Sequence, residues 1–255
     1  MPNKYLEFNI SIGQQKPESI VNTGTKCPFC DRSALTNVIA QDSDIILIKN
    51  KYPVLKDTFQ TVLIETTECK SELSEYNKDH LHRLFKFAIH HWLEMQTSKE
   101  YQSVLFFKNH GPLSGGTIRH PHMQIVGLKY VDYHEYFDNS HFNGLIIDAR
   151  NGVELNLSTK PRVGFSEFNV VMLETNNNIE QLADYVQTTV HFLLNNFNKK
   201  CKSYNLFFYF IDDLIRAKII PRFPTSPIYM GYGIPQISDQ LIITANKIKS
   251  LYFSK

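Results

Sequence analysis

The sequence predicts an α+β fold made of two similar units in tandem, each an antiparallel sheet with a packed helix. Two observations carry that prediction. A set of elements recurs in the same order in the two halves, and consecutive strands follow one another with no helix between them, which favours antiparallel pairing. The 255 residues suit one large domain or two small ones, long enough to build a core without disulfide staples. The units are expected over residues 1–135 and 136–255, with the chemistry in the first and a degenerate second.

The elements justify themselves in turn. The runs Phe59-Gln-Thr-Val-Leu-Ile-Glu-Thr66 and Phe168-Asn-Val-Val-Met-Leu-Glu-Thr175 are short, apolar and rich in β-formers, as core strands are. A helix follows each. Leu81, Leu84, Phe85, Ala88, Ile89 and Trp92 make one apolar stripe, and Leu182, Val186, Thr189, Val190, Leu193 and Phe197 make the other. Val104-Leu-Phe-Phe107 then answers Leu206-Phe-Phe-Tyr209, and a last strand closes each unit, His120 to Leu128 and Ile215 to Pro221. The pattern reads strand, strand, helix, strand, strand, twice. Between its last two strands the first unit carries the polar stretch Asn109 to Arg119, where the second has a short turn near Asp212-Asp213.

Charge and composition bound the partners. Twenty-seven Lys and Arg against 25 Asp and Glu give a net charge of +2, too little for a surface that holds nucleic acid mainly by charge. No apolar run approaches the roughly 18 residues of a membrane span, and the start, MPNKYLEFNI, lacks the layout of a signal peptide. A soluble, cytoplasmic protein with no nucleic-acid or membrane partner is expected. In a reducing compartment its four cysteines point to metal binding or free thiols.

The stretch from Asn109 to Gln124 is the most informative in the chain. On a strand, His120, His122 and Gln124 share one face, while Pro121, which has no amide hydrogen, predicts a sheet edge. Gly115-Gly116-Thr117 offers backbone amides and a hydroxyl to a phosphate. A histidine beside such a nest can attack phosphorus if an acceptor holds its other ring nitrogen. A Gly-rich hairpin with ordinary polar residues reads equally well from spacing alone. Cys27-Pro28-Phe29-Cys30 is a zinc-type knuckle that needs two more ligands, for which Cys69 and His120 are candidates. A redox pair is the competitor, though the βαβ context it expects is missing. Cys201 reads as a packed thiol, His110 as a loop hydrogen-bonder, and Arg119 and Lys51 as surface cations or phosphate partners. His80, His82, His90 and His91 read as a polar, solvated helix face, with metal binding as the lesser alternative their spacing suggests.

His120-Pro121-His122-Met123-Gln124 resembles the H-P-H-x-Q signature of galactose-1-phosphate uridylyltransferases, a branch of the histidine-triad superfamily. The resemblance extends to the Cys27–Cys30 knuckle, to Asn50-Lys51-Tyr52-Pro53 as a nucleotide-site segment, to Asn109 as a phosphate-loop asparagine, and to the tail from Pro221-Arg222 to Ile234. It implies two tandem histidine-triad-like units, which agrees with the repeat. It also implies a nucleotidyltransferase acting on a nucleotide sugar or dinucleoside polyphosphate through a covalent nucleotidyl-histidine.

In that reading His122 is the nucleophile, Gln124 donates to a phosphoryl oxygen, and Asn50, Lys51, Tyr52, Pro53, Asn109, Gly115, Gly116 and Thr117 bind nucleotide and phosphate. Cys27, Cys30, Cys69 and His120 hold one structural zinc ion per chain. The partner is a nucleotide-containing small molecule, and the family's sites are built across a homodimer. Two alternatives stand beside this reading, a non-catalytic zinc-braced nucleotide-binding protein and a nucleotidyl hydrolase. Ile215 to Pro221 contains no histidine, which implies one active site per chain and no second metal.

Overall fold

The computed structural model describes residues 5–136, 138–173 and 178–254. The chain divides into two compact units, Met1–Glu72 with Arg83–Tyr136 and Leu73–His82 with Phe137–Lys255. After the short helix α1 (Ile10–Gly13), the first unit holds β1 (Val38–Asp42), β2 (Ile45–Lys49), β3 (Thr58–Ile64), β4 (Ser103–His110) and β5 (His122–Leu128). They lie in the order β1-β2-β3-β5-β4, with every neighbouring pair antiparallel. Helix α2 (Lys78–Thr97) connects β3 to β4.

The second unit repeats the plan. Its strands are β6 (Gly144–Arg150), β7 (Val153–Ser158), β8 (Phe168–Met172), β9 (Tyr204–Ile211) and β10 (Leu214–Pro221). They are ordered β6-β7-β8-β10-β9, again all antiparallel. Helix α3 (Ile179–Phe192) connects β8 to β9, and α4 (Pro227–Tyr232) and α5 (Leu241–Tyr252) complete the chain. The α+β class and the antiparallel pairing are those the sequence predicts. Glu174 and Thr175, which end the second repeated run, lie outside the described residues.

Three strands rather than two precede each long helix. The β6–β7 hairpin closes through Asn151 and Gly152, both at positive φ (52° and 74°). Asn-Gly is the pair a two-residue type I′ turn demands, so the signal for this hairpin was present in the sequence. Both helical stripes face inward as the spacing requires. Leu84, Phe85, Ala88, Ile89 and Trp92 are buried, as are Leu182, Val186, Thr189, Val190 and Leu193. The Trp92 Nε1–H donates to the Val104 carbonyl at 3.1 Å, which pins α2 to β4.

Pro121 does not mark a sheet edge. Strand β5 lies between β3 and β4, and its ladder begins at His122, one residue past the proline. Pro121 has only an acceptor to satisfy at that point, and its carbonyl takes the Glu65 amide hydrogen at 3.2 Å. The proline therefore enters an interior strand at no cost in ladder bonds.

Candidate active site and metal centre

Cys27, Cys30, Cys69 and His120 converge, their ligand atoms all within 4.8 Å of one another. The His120 ring is buried, and its Nε2–H donates to the Thr66 carbonyl at 2.8 Å, which turns Nδ1 toward the sulfurs. Nδ1 lies 3.6 Å from Cys27 Sγ and 3.7 Å from Cys30 Sγ. A tetrahedral zinc ion with bonds of about 2.3 Å to sulfur and about 2.0–2.1 Å to nitrogen requires that separation to be about 3.6 Å. The donor set therefore fits the ion that the knuckle predicts. Arg32 braces the same point, donating to the Thr66 carbonyl and, at 3.1 Å, to that of Asp44.

Without a metal, the Cys27 and Cys69 thiols resist ionisation. Burial, together with the neighbouring sulfurs, pushes the Cys69 thiol up to about 12, and burial raises that of Cys27. A cation at the centre reverses this, because the metal ligand is the thiolate.

Two residues beyond His120, the His122 ring is buried and donates from Nδ1–H to the His120 carbonyl at 2.7 Å. That bond fixes the tautomer and leaves the lone pair on Nε2. Burial holds His122 down at about 4, so the imidazole is neutral in ordinary buffers. The Phe29 ring, inside the cysteine knuckle, stands edge-on to both histidines at 5.9 and 5.5 Å.

His122 and Gln124 line a cavity of about 440 Å³ together with Asn50, Lys51, Tyr52, Asn109, Gly115, Gly116 and Thr117. One wall is apolar. Ile48 and Val62 belong to a buried cluster against which Phe29 and Leu35 pack, and all four line the cavity. Gly116 sits where a Cβ would crowd Asn109 and the Ser114 hydroxyl at 3.3–3.4 Å, and Gly115 takes a φ of +84°. The left-handed backbone at Gly115 thus favours glycine, and Gly116 leaves little room for a side chain. Asn50 shapes its own segment, accepting the Tyr52 amide hydrogen at 2.8 Å.

Sequence reasoning overlooked several residues of this site. Lys16, Lys26 and Lys49 line the cavity with Lys51. Lys16 is carried by a segment stitched to the glycine loop, with the Ser19 amide donating to the Thr117 carbonyl at 2.8 Å and the Arg119 amide to Ser19 Oγ at 3.0 Å. No local motif announces it. A fully buried ion pair, Lys108 with Glu65, joins the ends of β4 and β3 on either side of the histidine strand. Its signal was a charged residue closing each of two apolar runs.

Other expected residues fall elsewhere. Pro53 and Arg119 are exposed and do not line the cavity. His110 ends β4 instead of sitting in a loop, and burial lowers it to about 4. The Cys201 thiol is buried and donates to the Ser203 carbonyl at 3.6 Å. Among the described residues, no helix is long and apolar enough to cross a membrane.

The fold is shared with known structures. An Arabidopsis thaliana ADP-glucose phosphorylase, solved with ADP-glucose bound, superposes with a TM-score of 0.70 at 14% identity, over 92% of this chain and 94% of that one. A uridylyltransferase matches with a TM-score of 0.68 at 14% identity, over 88% and 90%. The uridylyltransferase-like resemblance drawn from the motifs thus holds at the level of fold. A DUF4931 family protein from Bacillus cereus is 44% identical over 85% of this chain and all of its own, with a TM-score of 0.77. No curated protein matches the sequence. The models of the N-terminal and C-terminal domains of DUF4931, a domain of unknown function, match residues 8–131 and 134–253. The chain belongs to the DUF4931 family.

Proposed function

We propose that this protein is a nucleotidyltransferase that works through a covalent nucleotidyl intermediate on His122. The observation that carries the reading is the tautomer of that residue. With Nδ1–H committed to the His120 carbonyl, a neutral ring keeps its lone pair on Nε2 at a cavity of nucleotide size. Nε2 attacks the α-phosphorus of the donor, a nucleotide sugar or a dinucleoside polyphosphate. The Nε2–P bond forms as the bond to the bridging oxygen breaks, and the leaving phosphate departs with that electron pair. The ring gains positive charge in this step, and the His120 carbonyl stabilises it through the existing hydrogen bond. A phosphate oxygen of the acceptor then attacks phosphorus and displaces Nε2, which restores the neutral ring.

Gln124, Asn109 and the glycine loop serve the non-bridging oxygens. Lys16, Lys49 and Lys51 supply positive charge, and the wall formed by Phe29, Leu35, Ile48 and Val62 takes the base. Cys27, Cys30, Cys69 and His120 hold one structural zinc ion, which fixes the carbonyl that orients His122. The second unit, with no histidine on β10, is a degenerate partner, so each chain carries one active site.

Incubation with UDP-glucose, ADP-glucose and diadenosine tetraphosphate, followed by intact-mass measurement, tests the proposal. A mass increment of one nucleotide on His122, absent in His122→Gly and discharged by added phosphate or sugar phosphate, is expected. Saturable binding with no adduct from any donor would favour a non-catalytic nucleotide-binding protein. Nucleotide release at the same rate with and without acceptor would favour a hydrolase.

A further inference from the structure

Helix α2 carries four histidines, and the structure separates them into two groups. His82 turns to Asp184, with Nε2 at 2.8 Å from the carboxylate, and the His80 ring stands edge-on to Tyr76 at 4.8 Å. His90 and His91 do something different. They lie side by side one turn before Glu94, and the ligand atoms of all three residues are within 4.8 Å of one another. His91 Nδ1 is already 3.1 Å from a Glu94 carboxylate oxygen.

We propose that His90, His91 and Glu94 form a second metal site, taking a divalent transition ion of the zinc class through two imidazoles and one carboxylate. His91 and Glu94 stand three apart on the helix and His90 and Glu94 four apart, so the one carboxylate faces both imidazoles. The His91 ring packs edge-on against Phe87 at 4.5 Å. The helix beneath is rigid, because its opposite face, including Leu84, Phe85, Ala88, Ile89 and Trp92, is buried. Preorganised donors on a rigid element lower the cost of closing around an ion.

The donor chemistry selects the ion. Imidazole nitrogens favour zinc, nickel and copper, whereas magnesium and calcium favour oxygen alone. At the tetrahedral angle, bonds of about 2.0–2.1 Å set ligand pairs about 3.3–3.4 Å apart, so the three side chains must close by up to roughly 1.5 Å. His90 and Glu94 are exposed and have room to do so. Three protein donors leave at least one position for water or for a donor from another molecule. This is an open site, unlike the closed set at Cys27, and it does not depend on the nucleotidyl-transfer reading.

Equilibrium dialysis of the 255-residue protein at a series of fixed free zinc concentrations tests it, with bound metal counted per chain. The wild type is expected to hold one ion more than a His90→Ala, His91→Ala, Glu94→Gln triple variant, and Glu94→Gln alone should bind that ion at least tenfold more weakly. Cobalt provides the control. Its sulfur-to-metal absorption reports only the cysteine site and should be the same in wild type and variant, which also shows that the variant is folded. Equal zinc counts in wild type and triple variant across the whole series would overturn the proposal, as would a Glu94→Gln variant that binds as tightly as the wild type.

Discussion

The two units share a strand order and differ most where each closes its last hairpin. In the second, Ile211 pairs with Leu214 and the turn is only Asp212-Asp213, both at positive φ (53° and 61°), as a type I′ turn requires. In the first, residues 111–121 separate β4 from β5, and that excursion brings the glycine loop, His120 and Pro121 to the strand that begins at His122. One framework thus yields either a tight hairpin or a loop long enough to build a site. The lesson is that the same strand order accepts a long loop in place of a tight turn, at the cost of the ladder pairs nearest the loop. Strands β4 and β5 pair from Ser103–Leu128 to Phe107–Gln124, whereas β9 and β10 pair up to the turn itself. Removing the ring of His122 should therefore have the largest effect of any change. His122→Gly is expected to lower turnover by at least about 10³-fold and to abolish the nucleotidyl adduct. Ile215→Ala, on the corresponding strand of the second unit, should leave adduct formation unchanged. An adduct that survives in His122→Gly would break the comparison.

Both units bury an ion pair, and the two pairs should differ in consequence. Lys108 meets Glu65 in the first, and Lys218 lies 3.1 Å from Glu167 in the second, with all four side chains inaccessible to solvent. Lys218 also donates to Asn169 Oδ1 and to the His141 carbonyl, at 2.8 and 2.9 Å. Taking the ammonium from a carboxylate that stays buried costs roughly 3–5 kcal/mol. Lys108→Met and Lys218→Met are each expected to lose that much in denaturant unfolding. Only the first, whose carboxylate sits one residue before the Thr66 carbonyl that holds His120, should also slow adduct formation. Equal slowing by both variants would show that the effect is global stability.

Much of this was legible in the sequence because it is local. The period of the helical stripes, the C-x-x-C spacing and the alternation of His122 and Gln124 each report a geometry within a few residues. What escaped is what tertiary pairing creates. Lys16 reaches the cavity because its segment is sewn to Thr117 and Arg119, a hundred residues away. The Lys108–Glu65 pair exists because β5 separates β3 from β4 in a particular register. Pro121 misled because a proline excludes a ladder position without saying whether the strand starts before or after it.

The metal centre sharpens the contrast further, since only the first unit is expected to depend on it. Arg32→Ala, which removes a donor from the carbonyl that orients His120, should weaken zinc binding about 10- to 100-fold. The pH dependence has a definite sign. Burial raises the Cys27 and Cys69 thiols, the latter to about 12, so in the metal-free protein both are protonated at neutral pH. Each must lose its proton to bind, and zinc affinity should therefore rise with pH by about tenfold per unit for each of these two thiols. Competition with a chelator at several pH values measures the slope, and a flat profile would remove these cysteines from the ligand set.

The smallest effect belongs to the short turn. Asp213 holds a φ of 61°, a conformation glycine adopts without the steric penalty of a Cβ. Asp213→Gly completes the residue preference of a type I′ turn and leaves Asp212 free to keep its 3.3 Å pairing with Arg216. A gain of roughly 0.5–1 kcal/mol is expected, offset in part by the greater freedom of glycine in the unfolded chain. Adduct formation on His122 should not move. The opposite test is to shorten the first unit's connection, replacing residues 111–119 with Asn-Gly. This should preserve the β3–β5–β4 pairing, read by hydrogen exchange of the β4 amides, while zinc binding and adduct formation fall together. If the shortened chain loses exchange protection in β4 as well, the loop is part of the framework, and the two hairpins are not interchangeable closures of one design.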